Sequence, residues 1–421
     1  MVQTTELLPG VTLRCVAAER FRQGCLSVQF LRPMCREEAA VNALLPAVLL
    51  RGTKTLPDLS SITLGLDELY GASVGALVRR IGDYQAVGLY CGFIEDRYAL
   101  PGDRVLGPMI GLLEELLLDP VTEDGVFRRD YVQSEKRNLI ATIESERNDK
   151  RAYAAAQMLR RMCSADSFGI PRLGEVPQVE AIGPDTAWAH YQKILRESPV
   201  EIFYVGGGDL EEVAERLKKL FSRLDRAPVG MPEQTAFRDG GGGDYTETMQ
   251  IQQAKLVMGF TTPITNRSEE FAAMQVMNTL FGAGMTSKLF VNVREKMSLC
   301  YSIGSGYYGS KGILTVSAGI DADKEPVVTE SIMAQLDACR KGDITPEELK
   351  AAKEAILSGL RSVYDTPGAI EGYETTAAIG GLVLTLDGYR QAVEAVTVAQ
   401  VAQAAAALRL HTTYFLKGVE A

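Results

Sequence analysis

The sequence predicts an α+β fold of two homologous domains, each a twisted, mainly antiparallel sheet with helices packed on one face. Three observations lead there. The chain has 421 residues, too many for one ordinary core. Residues 227–244, APVGMPEQTAFRDGGGGD, carry neither a helical nor a strand period and separate two long patterned halves. The patterned segments on the two sides follow one order, the mark of a duplication. The expected division is a first domain over 1–226, a linker over 227–244 and a second domain over 245–421.

The elements run in parallel. Each half opens on strand-like sequence, Gly10 to Leu31 and Gln250 to Thr262. A helix with an Asn near its middle or end follows, Glu37 to Leu50 and Ser268 to Phe281. A Gly-containing turn and a short helix with Leu at its core positions come next. Two β-like runs succeed them, Ser73 to Phe93 and Cys300 to Ile320. Long helical pairs then begin at Val121-Thr122-Glu123-Asp124 and at Ile344-Thr345-Pro346-Glu347. Thr followed by acid predicts an N-cap with negative charge in the first turn. Each half closes on a helix and a strand: Asp185 to Arg196 into Val200 to Val205, and Val398 to Leu408 into Thr412 to Leu416. One further helix, Asp209 to Leu224, puts Leu210, Val213, Leu217, Leu220 and Phe221 on one face. The run Gly240 to Gly243 reads as a flexible linker or hairpin end. It lacks the Lys-Ser/Thr ending and the strand–helix frame of a phosphate cradle.

Composition narrows the function. Apolar residues make up 46% and charged residues 23%, an ordinary globular balance. A net charge of −10 argues against a nucleic-acid partner, which needs a basic face, and mildly against anionic membranes. Seven scattered cysteines without a C-x-x-C read as buried reduced thiols of a cytosolic protein. The N-terminus has no basic and apolar signal pattern, and no apolar run reaches membrane-spanning length. The expectation is a soluble, cytoplasmic protein.

The segment Leu280-Phe-Gly-Ala-Gly-Met-Thr-Ser-Lys-Leu-Phe-Val-Asn-Val-Arg-Glu-Lys-Met-Ser-Leu-Cys-Tyr-Ser-Ile303 resembles the second-domain signature of the pitrilysin/insulinase peptidases. That family, which includes the mitochondrial-processing-peptidase type, reads roughly L-x-G-x-G-x-x-S-R-L-F-x-x-[VL]-R-E-x-x-G-L-x-Y-S. Val205-Gly-Gly-Gly-Asp209 resembles the family's V-G-D, and the resemblance covers essentially the whole chain. It implies two domains facing each other as a clamshell across a peptide-binding cavity.

The family's zinc site is missing. A zinc peptidase needs three metal ligands, an open position for water and a carboxylate base. The family draws two His and the Glu base from H-x-x-E-H on one helix. Anchoring Arg51-Gly52-Thr53 on the family's K-G-T puts Ala43 and Ala47 at the His positions and Pro46 at the base. Aligning on Ile143 puts Thr142 at the distal Glu ligand, with Glu135, Glu144 and Glu146 nearby but out of register. Proline inside a helix removes a donor and clashes with the preceding turn, so a kink or break is expected near Pro46.

No other metal site or nucleophile replaces it in the sequence. The chain's two histidines, His190 and His411, have no His, Cys or carboxylate three or four residues on, and read as packing or surface residues. Asp185, five residues before His190, lies on the wrong side of the helix. Cys300 has no identifiable His base. Glu144 and Glu146 read as a solvated helix end. The metal, cofactor and catalytic residue sets are all expected to be empty.

What the resemblance retains is Arg294 and Tyr301. In active relatives the matching residues reach toward the substrate carbonyl, a role suited to a planar cation and a phenolic O–H. The plainer reading pairs Arg294 with Glu295. The turn Phe281-Gly282-Ala283-Gly284 stands where processing-peptidase relatives carry a substrate-contacting glycine-rich loop; here it is short and reads as a tight turn before a helix, with peptide contact as the second reading.

The resemblance implies a non-catalytic member that partners a motif-bearing zinc peptidase of the same family, with Arg294 and Tyr301 binding peptide substrate. A peptide-binding or scaffolding homodimer is the alternative, and an active enzyme with a rebuilt site the third. Within the family, Glu135-Lys-Arg-Asn-Leu-Ile, Asn148-Asp-Lys-Arg-Ala-Tyr153 and Leu66-Asp-Glu-Leu-Tyr-Gly-Ala72 resemble the bacterial zinc-less subgroup linked to aminopentanol modification of elongation factor P.

Overall fold

The computed structural model describes residues Val2–Val419. In chain order the first half contains β1 (Val2–Leu8), β2 (Val11–Ala17), β3 (Gln23–Pro33), α1 (Arg36–Leu49), α2 (Leu59–Glu68), β4 (Ser73–Ile81) and β5 (Tyr84–Ile94). It continues through α3 (Leu106–Leu118), β6 (Thr122–Glu123), β7 (Val126–Phe127), α4 (Arg129–Ser145), α5 (Lys150–Met162), α6 (Val176–Glu180), α7 (Pro184–Glu197), β8 (Val200–Gly206) and α8 (Leu210–Ser222). The second half has β9 (Gly243–Met249), β10 (Ala254–Thr261), α9 (Phe271–Asn278), β11 (Ser302–Tyr308), β12 (Ile313–Ile320), α10 (Glu325–Arg340) and α11 (Pro346–Ser362). It ends with α12 (Pro367–Gly380), α13 (Leu386–Ala395), α14 (Val398–Ala406) and β13 (Arg409–Gly418).

The duplication is explicit in the sheets. The first is ordered β1-β2-β8-β3-β5-β4 and the second β11-β12-β10-β13-β9. Read from its other edge, the second becomes β9-β13-β10-β12-β11, the order of β2-β8-β3-β5-β4. The hands agree too. β2–β8 and β13–β9 are parallel, and every other pair in these two sheets is antiparallel. The strand matching β2 is therefore β9, which begins at Gly243, inside the stretch expected to be linker.

In the first sheet the pleat sends alternate residues to opposite faces. Leu26, Val28 and Phe30 of β3, with Val87, Leu89, Cys91 and Phe93 of β5, enter a core with α1, α3, α7 and α8. The matching stripe of α8 is Val213, Leu217, Leu220 and Phe221. On the opposite face Ser27 and Gln29 are fully buried yet polar. Ser27 Oγ donates to Glu371 Oε1 at 2.7 Å, and Arg79 grips the same carboxylate through Nη1 and Nη2 at 2.8 and 2.9 Å.

Two compact units form, and they exchange segments. The first holds the chain up to Glu144, Ile170–Glu233 and Tyr364–Thr375; the second holds Ser145–Gly169, Gln234–Val363 and the chain from Thr376 onward. Thus α5, from the first half, packs Ala154, Met158 and Met162 against Val257, Tyr414 and Leu416 of the second sheet. Glu371, from the second half, is the carboxylate buried on the first sheet.

Two of three local expectations change. Thr122 is not an N-cap: Asp124 and Gly125 adopt φ of 53° and 82°, and the segment turns as the small hairpin β6–β7 before α4. Asp-Gly is a strong hairpin signal, and it outweighs the capping pattern. Thr345 does cap α11, accepting from Glu348 N while Glu348 accepts from Thr345 N. In α2 only Ile62 is buried, and Leu59 and Leu64 are exposed.

Candidate functional site

α1 is the helix that the resemblance equips with metal ligands. It does not break at Pro46. The helix runs on to Leu49, and Leu50 N donates to Pro46 O at 3.3 Å. The proline forfeits one donor near the last turn, while buried Leu44, Leu45, Val48 and Leu49 hold the helix against the core. Ala43 and Pro46 are buried and Ala47 is half-buried. These side chains have no donor atom for a metal.

The neighbouring polar groups are spent on the protein itself. Asn42 Nδ2 donates to Gln85 Oε1 at 2.9 Å, and Gln85 Nε2 donates to Ala39 O and Arg172 O. With its amide nitrogen used, Asn42 Oδ1 accepts from His190 Nε2 at 2.7 Å. His190 is thus a half-buried packing histidine, bonded to the helix whose own histidines are absent. Glu135 is paired with Arg51 at 3.2 Å, and the Arg51 guanidinium lies 5.0 Å from the Tyr131 ring centre. Thr142 is exposed on α4 and donates to Asn138 O within the helix. Glu144 and Glu146 are exposed.

The donor set does not fit zinc. Among the described residues no three His, Cys, Asp or Glu side chains converge as metal ligands. His411 bonds Asp239 at 2.8 Å and Thr412 at 2.7 Å. Cys300 is a buried thiol whose pKa is pushed up by burial, and both histidines are bonded to other residues.

Burial lowers the pKa of His190 to about 4. The folded state binds this proton less readily than the unfolded state, so stability is full above about 6.5 and is lost as pH falls toward 4. The loss attributable to this residue is up to roughly 3 kcal/mol at pH 4. Urea midpoints measured from pH 7 to 4 should show the decline, and His190→Gln should flatten it.

Arg294 and Tyr301 both lie in the second unit. Arg294 stands in a π-helical turn over Leu289–Lys296, stacks 4.6 Å from the Phe290 ring centre, and donates from Nη1 to Glu295 Oε1 at 2.6 Å. Its Nε donates to the Tyr301 carbonyl at 3.0 Å. The Tyr301 side chain is 61% exposed and its hydroxyl donates to Asp321 Oδ1 at 3.0 Å. That bond raises the phenol pKa. The Glu295 pairing anticipated for Arg294 is therefore present, and Asp321 is a partner that sequence reading did not anticipate.

The glycine turn is part of a second π-helical turn, Thr279–Ala283. Gly282–Met285, Ile303–Gly306 of the edge strand β11, and Arg151, Ala152 and Ala155 of α5 line an open groove of about 630 Å³, with Gly282 packed directly on Ser305. A side chain added at Gly284 or Gly304 would meet no atom closer than 3.4 Å, so the groove floor is flat there.

Residues 181–356 match the family model described as the peptidase M16 inactive domain. Over 412 residues the chain is 30% identical to the probable inactive metalloprotease YmfF of Bacillus subtilis (strain 168), spanning 98% of this chain and 96% of that protein. This chain belongs to the peptidase M16 family. Among solved structures, a conserved protein from Enterococcus faecalis V583 superposes on this M16 chain with a TM-score of 0.92 at 27% identity, over 99% of both chains. A peptidase M16 inactive domain from Pseudomonas fluorescens shares the fold with a TM-score of 0.82 at 18% identity, over 100% of this chain and 99% of that one. The pitrilysin/insulinase resemblance is thereby shown: the chain is a zinc-less pseudopeptidase homologue within M16. Among the described residues no helix is long and apolar enough to cross a membrane.

Proposed function

We propose that this M16 chain is the non-catalytic subunit of a cytoplasmic two-chain peptidase. A partner of the same family, with an intact H-x-x-E-H, supplies the zinc chemistry. This chain supplies peptide-binding surface, with Arg294 and Tyr301 directed at the substrate backbone. The observation that carries the reading is a contrast between the two units. In the first, Ala43, Pro46 and Ala47 of α1 put no ligand or base atom at the three motif positions. In the second, the edge strand β11 borders an open groove lined in part by glycines, the setting in which an extended peptide adds to a sheet. The subgroup resemblance supports a setting in bacterial elongation factor P modification.

Affinity capture of the chain from its native organism should recover a second M16 chain bearing H-x-x-E-H. Neither the chain alone nor a chelator-treated mixture should cleave quenched casein peptides; the untreated mixture should. Recovery of only further copies of this chain, with no cleavage by any mixture, would favour a peptide-binding homodimer and sink the two-chain reading.

A further inference from the structure

β11 and β12 pair with Ser302 opposite Gly319, and Tyr301 N donates to Gly319 O at 2.8 Å. That register brings Asp321, the residue just after β12, beside the Tyr301 ring. Asp321 Oδ1 takes the phenol at 3.0 Å while Oδ2 lies 2.9 Å from Lys324 Nζ. Lys324 and Tyr301 together hold the Asp321 carboxyl below the usual carboxylate range. An ionised carboxylate can only accept hydrogen bonds. The phenolic proton is thus committed to Asp321, and Tyr301 has only oxygen lone pairs left for a third group. Arg294 has the opposite character. Its Nε and Nη1 are used by Tyr301 O and Glu295, and Nη2 takes no hydrogen-bond partner among the described residues.

We propose that Asp321 is a positioning residue that fixes Tyr301 as a hydrogen-bond acceptor, so that Tyr301 takes a backbone N–H and Arg294 a backbone C=O of one extended peptide. The inference rests on the peptide-binding reading above and changes its polarity at Tyr301. A free phenol could donate to a substrate carbonyl; one held by Asp321 cannot do so without giving up a charge-assisted bond. Peptide backbones offer the matching N–H and C=O, whereas an ionised carboxylate offers acceptors alone and would satisfy Arg294 but not Tyr301.

Two measurements on the full-length chain test this. Carbon-13 tyrosine NMR, with Tyr301 assigned by Tyr301→Phe, should show its phenol titrating above the ordinary value of about 10. Asp321→Ala should lower it and Asp321→Glu should restore it. Fluorescence anisotropy with fluorescein-labelled casein peptides should show Asp321→Ala and Tyr301→Phe each weakening binding roughly threefold to tenfold. The double variant should be no worse than either, because both remove one interaction. A Tyr301 phenol titrating at the ordinary value overturns the positioning role. Wild-type affinity in Asp321→Ala overturns its link to peptide. A wild-type chain that binds no casein peptide, alone or with an M16 partner, removes the peptide ligand and the reading beneath it, while the titration still separates the two failures.

Discussion

Lys311→Met is expected to destabilise the second unit by about 3–5 kcal/mol, the typical cost of removing one partner from a buried ion pair. Lys311 Nζ lies 2.9 Å from Asp166 Oδ1, and the two side chains are 0% and 1% exposed. Lys311 also donates to Thr235 O at 3.1 Å. Asp166 accepts from Phe168 N at 2.8 Å and from Arg238 N at 3.0 Å. One cation thus ties the β11–β12 turn to the segment after α5 and to the stretch between the halves. With Met in its place, the Asp166 carboxylate keeps two amide donors and no counter-charge in a site closed to water. The unit should respond in its urea or thermal transition. Lys311→Met with Asp166→Asn should recover much of the loss, because a neutral amide costs far less to bury. A loss under about 1 kcal/mol in the single variant would mean that water reaches the pair in solution.

The same contacts show why the linker reading was incomplete. Pro, Gly and charge in residues 227–244 give no periodic signal, so composition alone says flexible. Hydrogen bonds that fix the stretch reach Lys311, Asp166, His411, Tyr84 and Ile379, each remote in sequence. β9 was hidden for a related reason. Its exposure alternates, but its run GDYTETM is polar and it pairs with β13, the last strand of the chain.

The exchange of α5 was unreadable in a similar way. Ala154, Met158 and Met162 mark an apolar face at four-residue spacing, which predicts a helix. A stripe says that a face is buried, not which sheet buries it. By contrast, the emptied positions on α1 were legible, because the absence of a ligand atom is a matter of residue identity. The Arg294–Glu295 pair was legible because it is local. Asp321 was not, since only the β11–β12 register sets it beside Tyr301 across twenty residues of chain.

Arg294→Ala separates the two readings of that residue. If Arg294 serves only Glu295, its loss should cost less than about 1 kcal/mol, because its side chain is 36% exposed and the partner's 54%. Cleavage by the two-chain mixture would then be unchanged, and the substrate role would fall. If Arg294 stabilises charge on the substrate backbone, Arg294→Ala in the mixture should lower kcat/KM by about 10²–10³, the range for losing one aimed donor. The melting transition of the chain should barely move. Two further variants sharpen the contrast. Arg294→Lys keeps the charge but loses the planar fork that serves Tyr301 O and Glu295 at once, so it should restore only a fraction of the activity. Glu295→Ala removes the surface pair while leaving the Nε bond to Tyr301 O and the stack on Phe290, so it should retain most of it. A residue that served only its ion pair would leave cleavage unchanged in Arg294→Ala and Glu295→Ala alike.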